Sequence, residues 1–184
     1  MRPRYSLARR RAQQLLADGG VTGAPVPLER LAELCRATIR YEPFDGEVSG
    51  MVHCRPGGGG VIGVNSEHSK TRQRFTIAHE LGHLLLHADE EFHIDEKAPL
   101  ALRDAVSSQA VDPREVEANQ FAAELLMPEA LVRASVGALI ADDASITAEN
   151  AIEELAREYR VSALAMTHRL SNLRIISTED DVAG

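Results

Sequence analysis

His79, Glu80 and His83 stand as His-Glu-x-x-His inside the apolar run Phe75-Thr76-Ile77-Ala78-His79-Glu80-Leu81-Gly82-His83-Leu84-Leu85-Leu86-His87. On a helix, residues four apart project from one face one turn above each other, so both imidazoles can converge on one metal ion. Glu80 follows the first histidine by about 100° of rotation. That offset keeps its carboxylate off the metal but beside a metal-activated water, where it can serve as general base. Ile77, Ala78, Leu81, Leu84 and Leu85 would bury the rest of such a helix, and Gly82 lets another backbone approach.

Two histidines do not complete such a site; a third protein ligand must come from elsewhere, leaving a fourth position for water. Three residues compete. Asp89 holds the third-ligand position of the longer motif His-Glu-x-x-His-x-x-Gly-x-x-His, but Leu86 replaces the glycine that would break the helix, so Asp89 is expected to stay helical and turn away. His87 lies one turn past His83; a continuous helix carries it along the axis, toward a capping role or one that supports a ligand from behind. Glu115 opens a later Ala-rich helix and has Asn119 on the same face, where an amide can hydrogen-bond a ligand. Its competing role is the acidic member of a capping box with Asp112. The residues alone leave this choice open. A His₂Glu set with an open position leans to Zn²⁺.

The elements that must position these groups read as α+β. An amphipathic helix over 6–17 carries Leu7, Ala8, Ala12, Leu15 and Leu16 on one face, with its arginines as a solvated face. After a Gly/Pro linker, Pro27 opens a second helix. The runs 37–42, 48–54 and 61–65 are β-like, and Arg55-Pro56-Gly57-Gly58-Gly59-Gly60 reads as a hairpin turn, since no Gly-Lys-Ser/Thr follows it. A small, mostly antiparallel sheet thus feeds the motif helix, with Ser69 or Thr71 as N-cap and with a sheet edge that could hold an extended peptide. The polar stretch 88–111 reads as a loop or short lid. Asp112-Pro113-Arg114-Glu115 then starts a helix that stops before Pro128, and helices are expected over about 129–136, 148–160 and 163–173.

At 184 residues with 4% aromatics and no Trp, the chain can bury one aliphatic core, and its net charge of −8 argues against nucleic acid as main partner. The basic start at Arg2, Arg4, Arg9, Arg10 and Arg11 is not followed by an apolar signal segment, and no run has membrane-span length, so a cytoplasmic protein with Cys35 and Cys54 as free thiols is expected. The organisation reads as a basic helix and linker (1–24), a core (25–140), a helical subdomain (141–176) and an acidic tail (177–184).

The combined signature Arg72-Gln73-Arg74-Phe75-Thr76-Ile77-Ala78-His79-Glu80-Leu81-Gly82-His83, then Glu115-x-x-x-Asn119-Gln120-Phe121-Ala122-Ala123-Glu124-Leu125-Leu126-Met127-Pro128, resembles the ImmA/IrrE family of metallo-endopeptidases. The resemblance implies a zincin-like fold, Zn²⁺ held by His79, His83 and Glu115, and Glu80 as general base. It also implies a protein substrate, usually a helix-turn-helix repressor cut to switch on an operon. A second electrophile is expected from among His87, His93, Tyr159 and His168. Residues 152–173 have helix-turn-helix-like spacing, but Arg160 stands where the turn usually carries glycine, and arginines balance glutamates. A helical subdomain docking on the core is expected there, rather than direct DNA contact. The readings from other classes are a transcriptional regulator and a toxin-antitoxin-type module that sequesters its partner without cutting it.

Overall fold

The computed structural model describes residues 2–45, 48–89, 92–95 and 112–176. Among these the order is α1 (Tyr5–Asp18), α2 (Leu28–Leu34), β1 (Ala37–Glu42), β2 (Gly50–Cys54), β3 (Gly60–Asn65), α3 (Lys70–Leu86), β4 (Phe92–Asp95), α4 (Pro113–Leu126), α5 (Glu129–Asp142), α6 (Ala148–Tyr159) and α7 (Ala163–Asn172). The acidic tail at 177–184 and, within the expected lid, residues 90–91 and 96–111 lie outside the described residues.

The sheet order is β1-β3-β2-β4. β2 and β3 form the expected hairpin, and Gly57, Gly58 and Gly59 all take positive φ in its turn, where a side chain would be strained. β1 joins β3 in parallel, and β4 joins β2 antiparallel at the opposite edge. β4 corrects the loop reading of 88–111. Phe92, His93 and Ile94 alternate across the sheet, but a four-residue strand between polar segments has no period of its own to detect, and its partner β2 is distant in sequence.

α3 packs on β2 and β3, burying Ile77, Leu81 and Leu84 near Val52, Ile62 and Val64. Ser69 is its N-cap, accepting the Arg72 N–H. On its other side α3 meets α4, and Gly82 makes the approach close: a Cβ there would lie 3.1 Å from the Ala118 Cα. α4 is therefore the second wall of the motif helix, and it in turn is clasped by α1, whose Ala8, Ala12, Leu15 and Leu16 are buried.

α5 runs to Asp142, beyond the expected 136. Between α6 and α7 the backbone turns through a left-handed Arg160, φ 54° and ψ 47°, so the turn forms without the usual glycine. Ser162 then caps α7 through the Ala165 N–H. Arg169, 3% exposed, donates to the Glu124 carboxylate and to the Met127 carbonyl, fastening α7 to α4. No helix among the described residues is long and apolar enough to cross a membrane.

Candidate metal centre

The i, i+4 spacing on α3 places His79 and His83 side by side, each 2% exposed, with Nε2 atoms 3.0 Å apart. Glu115, in the first turn of α4, brings Oε2 within 3.3 Å of His79 Nε2 and Oε1 within 3.2 Å of His83 Nε2. From the sheet edge, His93 lays its ring on that of His83 at 3.7 Å between centroids, with Nε2 3.2 Å from Glu115 Oε1. The four donor atoms all lie within 4.8 Å of one another. A tetrahedral zinc with bonds of about 2.1 Å sets neighbouring ligand atoms about 3.4 Å apart, so these spacings and this donor set fit a divalent metal.

The electrostatics fit as well. Burial lowers the His83 pKa to about 4 against the hydrogen bond with Glu115, with His79 and His93 pushing the same way as burial. A neutral imidazole has a lone pair for a metal. Burial alone would raise the Glu115 carboxyl, but its hydrogen bonds with His79 and His83 outweigh that and hold it well below the usual carboxylate range. His79 Nδ1 lies 3.0 Å from Asn119 Oδ1, which orients the ring so that Nε2 faces the cluster. Glu80 is fully buried beside Gly50 of β2, on the neighbouring face of α3.

The sequence pattern of the IrrE N-terminal-like domain family matches residues 33–171. The chain belongs to that family. It is 33% identical over 112 residues to the radiation response metalloprotease IrrE of Deinococcus radiodurans, across 60% of this chain and 30% of that protein. A solved Mycobacterium tuberculosis transcriptional regulator shares the fold at a TM-score of 0.56 and 20% identity, over 89% of this chain and 46% of that one. The chain thus spans less than half the length of either. Within it, His79, His83, His93 and Glu115 are the cluster among the described residues that could hold a metal ion.

The other candidates go elsewhere. Asp89 is not helical: α3 ends at Leu86, His87 caps it, and the Asp89 carboxylate pairs with Arg114 at 2.9 Å, away from the donors. The expected reason for its exclusion, a continuous helix, is therefore corrected. His87 turns its Nε2 toward Glu117, at 3.6 Å. Tyr159 is buried against Ser135 at 3.1 Å, and His168 is exposed on α7. Cys35 and Cys54 are free thiols outside the cluster. Of the four candidate electrophiles only His93 reaches the centre. Its sole signal in the sequence was its residue type, because β4 was not legible.

Proposed function

We propose that the chain is a zinc-dependent endopeptidase in which His79, His83 and Glu115 hold the metal, Glu80 is the general base and His93 faces the scissile carbonyl. The observation that supports this most is the convergence of donor atoms from α3 and α4 at metal-ligand spacing, with His93 of β4 beside them. When bound, the metal would supply Lewis acidity to a water and to the carbonyl of the substrate. Glu80 takes a proton from the attacking water as the C–O bond forms, then returns it to the amide nitrogen as the C–N bond breaks. His93 Nε2 donates a hydrogen bond to the developing oxyanion. Asn119 keeps His79 in the ligating orientation.

β4 is the last strand of the sheet among the described residues, so an extended peptide can add alongside it with its carbonyl near His93. Such a site favours one exposed loop of a folded partner over general digestion. The family resemblance makes a helix-turn-helix repressor the substrate class to test, in a cytoplasmic setting. Zinc-loaded protein mixed with a purified repressor of that class is expected to give a single cut by mass spectrometry, while Glu80→Gln gives none yet retains its zinc. Cleavage that survives Glu80→Gln would contradict the assignment.

A further inference from the structure

Resting on that reading of the centre, we propose that the half-exposed Arg4, through the buried Glu117 and His87, forms a relay by which the N-terminal arm holds the Glu115 turn of α4 against α3, so that Arg4 is a positioning residue for the metal ligands. His87 begins the relay at the end of α3. Its backbone N–H donates to the His83 carbonyl at 2.8 Å, one turn from a ligand. Its imidazole places Nε2 3.6 Å from Glu117 Oε2. Glu117 stands two residues past Glu115, so His87 brings the end of the helix of the two histidines against the turn that carries the third ligand.

Arg4 completes the relay from the far end of the chain. Its backbone N–H reaches Glu117 Oε1 at 2.7 Å, and its guanidinium reaches the two carboxylate oxygens at 3.0, 3.2 and 2.8 Å. Glu117 and His87 are each 2% exposed beneath the half-exposed Arg4, so without Arg4 the carboxylate loses its cation and is drawn toward water. The turn would then shift toward water and take Glu115 with it. Ligand distances tolerate only about 0.2 Å, so even a small shift weakens the site. Arg4 lies outside residues 33–171, the segment that matches the family, so this support is particular to the N-terminal arm.

The test is zinc affinity by competition with a chromophoric chelator, with hydrogen exchange of the metal-free proteins alongside. Arg4→Ala and Glu117→Gln should each weaken zinc binding about tenfold, Arg4→Lys less, and the double variant Arg4→Ala/Glu117→Gln little more than either single one. Gln13→Ala removes a different contact between α1 and α4, the hydrogen bond to Glu124, and should leave affinity unchanged. In metal-free Arg4→Ala, the amides of residues 116–119 should exchange faster while those of α7 do not. Unchanged affinity in Arg4→Ala, or an equal loss in Gln13→Ala, would overturn the relay. If the wild type binds no zinc, the metal reading fails instead, and the exchange of residues 116–119 still decides whether Arg4 holds that turn.

Discussion

A carboxylate in the first turn of an acid-capped helix ordinarily closes a capping box. Glu115 does not. Asp112 accepts the Arg114 N–H at 2.9 Å, while both Glu115 oxygens turn to the histidines of α3. At this scale the sequence was informative where spacing is local: i, i+4 fixes His79 and His83, and i, i+4 again puts Asn119 beside Glu115. It offered His93 only as one of four candidates, because its approach depends on strand pairing, and it excluded Asp89 for the wrong reason, because α3 ends three residues before it. His93→Ala is expected to lower kcat about a hundredfold with zinc retained, since losing one oxyanion donor costs on that order. Loss of zinc from that variant would make His93 a ligand instead.

At the scale of elements, the centre depends on how closely β2 and α4 press on α3. The α+β order and the hairpin were legible from turn residues and apolar periods, and the cap of α3 was narrowed to Ser69 or Thr71. The distances between elements were not, because they are set by packing. Gly50 is the clearest case: a Cβ there would meet Thr76 Cγ2 at 2.3 Å and the Gly63 carbonyl at 2.9 Å, with Glu80 Oε1 at 3.4 Å. Gly50→Ala should therefore force β2 from α3, destabilise the protein by about 1–3 kcal/mol and disturb Glu80. A urea midpoint and a cleavage rate equal to those of the wild type would show that the strand can yield without cost.

Across the whole molecule α4 is the hub, with Glu115 and Asn119 on the metal face and Glu117 and Glu124 buried behind. The positions two and nine past Glu115 fall on the far side of a helical wheel, but the wheel does not name their partners: Arg4 and Arg169 lie 113 and 45 residues away. The apparent recognition helix α7 thereby turns its Arg169 inward to Glu124, not outward toward a phosphate. Arg169→Met would leave Glu124 buried without its cation, and should cost about 3–5 kcal/mol by chemical denaturation. A loss under about 1 kcal/mol would mean that the pair contributes as little as an exposed one. The central claim, that the convergent donors form a metal centre with Glu115 as third ligand, is tested most directly by elemental analysis of the purified wild type, Glu115→Ala and Asp89→Ala. About one zinc per chain is expected in the wild type and in Asp89→Ala, and none in Glu115→Ala. A wild type that takes up no metal even after zinc addition, or a Glu115→Ala protein that keeps it, would mean that these donors are not a metal centre completed by Glu115.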